Sequence, residues 1–152
     1  MEAVPQFGAV QDGRVYADRP AAFGLALREG LIAVVRVQPI GFDTPWIDLP
    51  GGGIDPGETA DVAVVREFGE ETGLKVSAGR AFARADQLFI NTDGVAFNNR
   101  STLFAVRIQA EAPHLKVEAD HELLWLDPNE AIARLRHDSH AWAVAAWLRR
   151  VA

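Results

Sequence analysis

Regular patterning begins at Ala22-Phe23-Gly24-Leu25-Ala26-Leu27 and Leu31-Ile32-Ala33-Val34-Val35-Arg36-Val37, two apolar runs separated by Arg28-Glu29-Gly30. A short glycine-containing connection between strand-like runs predicts a β-hairpin. The second run is nearly continuous rather than alternating, which predicts a strand covered on both faces and hence helices on either side of the sheet. Gln38 to Pro45 reads as loop and Trp46-Ile47-Asp48-Leu49 as a short strand, ended by Pro50 and by Gly51-Gly52-Gly53, where positive φ is accessible. From Thr59 to Thr72 the spacing is helical, with Thr59 as N-cap, Asp61 in the first turn and Gly73 just past the end. Val62, Val65, Phe68, Gly69 and Thr72 form the stripe expected to dock this helix on the sheet.

Further on, Arg80 to Ile90 and Arg100 to Gln109 read as strands, joined through Asn91-Thr92-Asp93-Gly94 and a polar stretch that includes Asn98-Asn99. Glu122 to Leu126 is another strand. Asp127-Pro128-Asn129-Glu130 then opens a helix with an Asp cap, Pro at the first position and Glu at the third. A last helix is expected near Ser139, with Trp142, Val144, Ala145, Trp147, Leu148 and Val151 along a broad apolar stripe that belongs to the core.

The length, 152 residues and 16.5 kDa, fits a single domain over 1–152, and 49% hydrophobic with 24% charged residues is the composition of a soluble globule. Fifteen Lys and Arg against 21 Asp and Glu leave a net charge of −6, with no basic run able to follow a duplex, so duplex nucleic acid is excluded as the expected partner. No stretch reaches 18 apolar residues and the start lacks the basic and apolar regions of a leader, which predicts a cytoplasmic protein with no membrane partner. Zero cysteines exclude disulfides, thiolate-bound zinc and thiol nucleophiles, so any metal is held by oxygen or imidazole.

Against that background the helix from Thr59 carries the strongest chemistry. At about 100° per residue, Glu70 and Glu71 fall on either side of Glu67, so three carboxylates share one arc and are expected to face solvent or a cleft. Like charges at these spacings destabilise a helix, and a hard divalent cation such as Mg²⁺ or Mn²⁺ is the natural compensation for an all-oxygen cluster. Arg66 is placed to pair with Glu70 or Glu58. A solvated acidic face is the ordinary reading of such a run, but it leaves the preceding glycines and turn unexplained.

Gly52, five residues, Glu58, seven residues, Arg66-Glu67-Phe68, one residue, Glu70-Glu71, one residue and Gly73-Leu74 reproduce the signature of the Nudix hydrolases, and the chain resembles that MutT-like family over most of its length. The resemblance implies an α+β fold, an α/β/α sandwich with a mixed β-sheet and a catalytic loop-helix-loop from Gly52 to Leu74. It also implies Mg²⁺-dependent hydrolysis (Mn²⁺ substituting) of a diphosphate bond in a nucleoside diphosphate linked to another moiety, by water attack on phosphorus.

By the same resemblance, Glu67, Glu70, Glu71 and the backbone of Gly52 bind metal, while Glu58 and Arg66 brace the motif. The general base is one of the helix glutamates or a downstream carboxylate among Glu118, Asp120 and Glu122, with Glu122 the favoured one. Ile90 stands sixteen residues after Leu74, where a proline or tyrosine would signal the ADP-ribose or dinucleoside-polyphosphate subclasses. His114, His121, His137 and His140 show no ligand spacing tied to the glutamate helix and are expected to be structural. The competing reading is a catalytically silent nucleotide-binding or regulatory module of the same family. A homodimer is compatible with the resemblance.

Overall fold

The computed structural model describes residues 3–151. Its strands are β1 (Gln6–Phe7), β2 (Ala17–Leu25), β3 (Leu27–Arg28), β4 (Leu31–Val37), β5 (Trp46–Asp48), β6 (Gly51–Gly53), β7 (Leu74–Ile90), β8 (Ala96–Glu111) and β9 (His121–Leu126). Three α-helices, α1 (Ala60–Thr72), α2 (Pro128–Arg134) and α3 (Asp138–Val151), complete the α+β fold with one 3₁₀ turn at Pro113–Leu115. Among the described residues no helix is long and apolar enough to cross a membrane.

Two sheets share the centre. A five-stranded mixed sheet runs β1-β7-β8-β2-β6, with β2 parallel to β8 and antiparallel to β6. In the second, antiparallel sheet, β4 pairs with β3 and β5 and also with β9. Alternation along each strand sends residues to opposite sides. Ala21, Phe23, Leu25, Ile32 and Val34 join a core under α2 and α3, whereas Ala22, Ala26 and Ala33 join one under α1. The continuous apolar run of β4 is therefore that of a central strand buried on both faces, as expected.

Several sequence expectations need correction. The predicted hairpin is confined to its tip: Leu27–Arg28 pairs with Leu31–Ile32 around Glu29 and Gly30, both at positive φ, as a two-residue type I′ turn requires. Ala17–Leu25 instead lies in the other sheet, because nine parallel pairs with β8 satisfy its backbone and the chain crosses between sheets at Ala26, whose carbonyl takes Ala33 N–H at 3.0 Å. Strands β7 and β8 are longer than the apolar pattern shows, and their register shifts between Lys75 and Val76, Ala78 and Ala81, and Ala81 and Ala83 break the alternation. Asn98 and Asn99 accordingly lie within β8, buried, rather than in its connection. Gly52 and Gly53 are ordinary extended residues of β6. Only Gly51, at φ 148°, needs to be glycine for its conformation, and a Cβ there would meet the Ala22 carbonyl at 2.2 Å.

The largest correction concerns the rotation of α1. Its buried residues are Ala63, Val64, Phe68, Gly69, Glu71 and Thr72, so Phe68, Gly69 and Thr72 of the expected stripe face inward, whereas Val62 is 53% exposed. The cause is a gap in the sheet at Gly24, where a Cβ would stand 2.8 Å from the Phe68 ring and 3.1 Å from Val64 Cγ2. Phe68 and Val64 fill that gap, which brings the helix close and turns Glu71 inward. Thr59 makes no side-chain cap bond, while Gly73 closes the helix in the left-handed conformation with its N–H on the Gly69 carbonyl. At the far side, Asp127 caps α2 as expected by accepting Asn129 N–H at 3.0 Å. Trp142, Val144, Trp147 and Leu148 pack on the α3 side of the core, but Val151 is exposed.

Candidate metal centre

Helix α1, the strand β6 before it and the segment entering β9 bring the chemically active side chains together. Arg66 is the hub. Its guanidinium donates to Glu58 at 2.7 and 2.9 Å, to Glu67 Oε1 at 3.1 Å, to Glu70 Oε2 at 3.2 Å and to the Gly53 carbonyl at 3.4 Å. One planar cation thus holds three carboxylates at fixed spacing and ties the helix to β6. The Arg66 bonds, with Asp55 N–H, hold the Glu58 carboxyl down at about 2, and Glu58 in turn raises Arg66 above its usual range.

Glu67 and Glu70 keep partial access to solvent beside this hub. Burial pushes the Glu67 carboxyl upward against the pull of Arg66, and neighbouring Glu70 and Glu118 push the same way. A Cβ on Gly52 would stand 3.1 Å from the Glu67 carboxylate, so glycine keeps the space in front of that group open. The donors around this space are hard oxygens, which suits a Mg²⁺-type cation.

Glu71 departs from the expectation that all three glutamates face outward: it is only 6% exposed. Its Oε1 accepts Gly51 N–H at 2.9 Å and its Oε2 stands 3.1 Å from His121 Nε2. Burial raises the Glu71 carboxyl to about 7 in spite of those two bonds. For His121 burial opposes the charged form, but Glu71 and Asp120, whose Oδ1 lies 2.8 Å from Nδ1, raise the imidazole to about 9. Each partner thus favours the charged form of the other against the cost of burial.

The structure sets Glu122 apart from the glutamate cluster. Leu123 and Trp125 pack in the α1 core and Leu124 and Leu126 in the opposite one, so alternation puts Glu122 on the α2/α3 side, facing away from α1. It is 63% exposed and its neighbour is Arg36, at 3.8 Å. His121, read from sequence as structural, reaches Glu71, and Glu118 faces Glu67; Glu118, Asp120 and His121 have ligand atoms within 4.8 Å of one another. The period of two in β9 was the available signal: a strand beginning at His121 with Leu123 inward turns His121 inward too. Backbone bonds from Val117 and Glu118 N–H to the Glu70 carbonyl, 2.9 and 3.0 Å, seat this segment on the end of α1.

Two further positioning groups went unread in the sequence. Arg136 forks onto Asp48 at 3.1 and 2.7 Å, and the buried His140 accepts Leu49 N–H on Nδ1 at 3.2 Å. Both clamp the strand that leads into Gly51 and Gly52 from the α3 side. His137 and His140 are otherwise core residues, His137 edge-on to Phe89 and His140 tilted against Phe23, as the sequence reading expects of histidines.

Comparison with known proteins places this geometry in context. The family model described as NUDIX domain matches residues 18–148. A Mycobacterium tuberculosis (strain H37Rv) protein named "Putative 8-oxo-dGTP diphosphatase 2" is 31% identical over 100 residues, 66% of each chain. A Bacillus subtilis (strain 168) protein named "Putative 8-oxo-dGTP diphosphatase" is 64% identical over 35 residues, which is 23% of this chain and 24% of that one. The matches thus span from about a quarter to 66% of the length of these two relatives. Among solved structures, a NUDIX hydrolase from Nitrosomonas europaea superposes with a TM-score of 0.73 at 17% identity, covering 87% of this chain and 89% of that one.

Proposed function

Since the chain belongs to the NUDIX domain family, we propose that it hydrolyses a diphosphate bond in a nucleoside diphosphate linked to another moiety, with Mg²⁺ or Mn²⁺ held by Glu67, Glu70, Glu71 and the Gly52 backbone. The observation that carries this reading is the Arg66 hub: one guanidinium spaces Glu58, Glu67 and Glu70 around an opening that glycine leaves free. When bound, such a cation neutralises the diphosphate and polarises the phosphoryl group under attack. A protein of net charge −6 would otherwise repel that substrate.

The chain's own residues divide the remaining work. Arg66 and Glu58 keep the glutamates in register, so their contribution is to geometry. Water oxygen forms the new bond to phosphorus as the anhydride oxygen departs with its phosphate. The water's proton goes to a carboxylate of the cluster formed by Glu67, Glu70, Glu71, Glu118 and Asp120, and Glu122 takes no part. Glu71 is kept in place within that set by Gly51 N–H and His121. The mycobacterial relative's name makes a nucleoside triphosphate the first substrate class to assay.

The test is a panel of nucleoside triphosphates, ADP-ribose, dinucleoside polyphosphates and nucleotide sugars with Mg²⁺, with Mn²⁺ and with EDTA, run in ¹⁸O-water to locate the attacked phosphorus. Divalent-dependent hydrolysis that disappears in Glu67→Gln is the expected outcome. Binding without turnover across the panel would replace the enzyme by a silent nucleotide-binding module.

A further inference from the structure

On the face of the sandwich opposite α1, a groove of about 610 Å³ runs between the N-terminal segment, β7 and α3. Pro5, Phe82 and Trp142 line it with apolar surface, and Arg84 from β7 and Arg149 and Arg150 from α3 line it with charge. None of the glutamate-cluster residues takes part. Like Arg14, Arg19, Arg80 and Arg107, these three arginines stand outside the ion pairs that hold the others. Arg28, Arg36, Arg66, Arg100, Arg134 and Arg136 each pair with a carboxylate, whereas among the described residues Arg84, Arg149 and Arg150 form no ion pair.

A structural role explains part of this. Arg149 and Arg150 occupy the last turn of α3, where cations complement the helix dipole. The dipole does not account for Arg84, which arrives from β7, or for an open groove with an indole in its wall. On a protein of net charge −6, three arginines gathered around one concavity mark a place where an anion is attracted rather than repelled. The volume lies within the range of small-molecule sites, and Trp142 with Phe82 offers ring surface beside the guanidinium groups. A flat ring carrying a phosphate fits both halves of that description.

We propose that this groove is a second nucleotide site, which binds a nucleoside monophosphate without a divalent cation through Trp142, Phe82 and the arginines. A site of this kind would let a nucleotide act on the protein from the face away from the carboxylates.

The experiment is an AMP titration of the full chain in EDTA, followed by calorimetry and by tryptophan emission. AMP carries no anhydride to cleave, and without metal the acidic cluster repels it. Saturable binding is expected, weakened at least about tenfold in R149A/R150A and comparably for ribose 5-phosphate, which lacks the ring. Trp142→Phe should keep the calorimetric binding and lose most of the emission change. Absence of saturable binding overturns the proposal. So does an affinity that R149A/R150A leaves unchanged, which would locate the nucleotide elsewhere.

Discussion

Gly24→Ala tests the link between packing and the metal centre most directly. The new methyl group would stand 2.8 and 2.9 Å from two atoms of the Phe68 ring and 3.1 Å from Val64 Cγ2. Carbon atoms in contact settle at roughly 3.5–4.0 Å, so an overlap of about 0.7 Å has to be relieved. Phe68 and Val64 are both fully buried, which leaves the ring nowhere to turn and makes displacement of α1 the easiest response. Overpacking of this kind costs about 1–3 kcal/mol, offset by about 0.4–1 kcal/mol from the stiffer unfolded chain, for a net loss of about 1–2 kcal/mol. In a chain of this length that lowers Tm by roughly 2–8 °C.

The same displacement moves Glu67 and Glu71 relative to Gly51, Gly52 and His121, and an error of about 1 Å in a reacting geometry costs up to roughly 10²-fold in rate. The assay is a double-mutant cycle with Phe68→Leu, read by urea midpoint and by divalent-dependent turnover. Shortening the ring should make room for the methyl group, so the two changes should couple by about 1 kcal/mol or more and turnover should recover in the double variant. Simple addition of the two penalties, or a Gly24→Ala protein within about 0.5 kcal/mol of wild type at full activity, would refute the reasoning.

Other outcomes follow from the same geometry. Glu71→Gln keeps an acceptor for Gly51 N–H, so it should fold normally by circular dichroism while turnover falls about 10²-fold or more. Glu122→Gln removes only an exposed partner of Arg36 and should leave turnover within about twofold of wild type, and a large loss would return Glu122 to the site. Burial, with a smaller contribution from Arg136, lowers His137 to about 3, and burial drives His140 well below its usual value. Their folded values lie below the unfolded one, so the neutral forms stabilise the protein above about pH 6.5 and that stability is lost as pH falls. For His137 the loss at about pH 5 is about 2 kcal/mol, and His137→Gln should lose that much less unfolding free energy than wild type between about pH 7 and about pH 5, measured by urea titration.

The legible parts of this protein are those coded by contiguous residues. The helix from Thr59 to Gly73, the Asp127-Pro128 cap and the buried strand at Leu31–Val37 each announce themselves through local spacing, and the catalytic signature lies within 23 consecutive positions. Gly52, Glu58, Arg66, Glu67 and Glu70 come together as they do because a helix and the turn before it fix their separations over short distances. His121 was legible only as an inward position of β9, and Arg136 and His140 not at all, because they act through Asp48 and Leu49, from positions no local pattern connects to the glutamates.

The sequence by itself determined the family, the alternation of strands and helices, and an all-oxygen cluster with a guanidinium at its hub, because these depend on spacing along one rigid element and on side-chain chemistry. Tertiary structure alone decided that Ala17–Leu25 joins the parallel ladder rather than a hairpin, and that α1 rolls until Glu71 is buried against Gly51 and His121. Only tertiary structure, too, turned Glu122 away from the cluster. Those outcomes depend on which surfaces meet. The missing side chain at Gly24, some forty residues from Phe68 in the chain, sets how closely the helix approaches, and that distance decides which carboxylate faces inward.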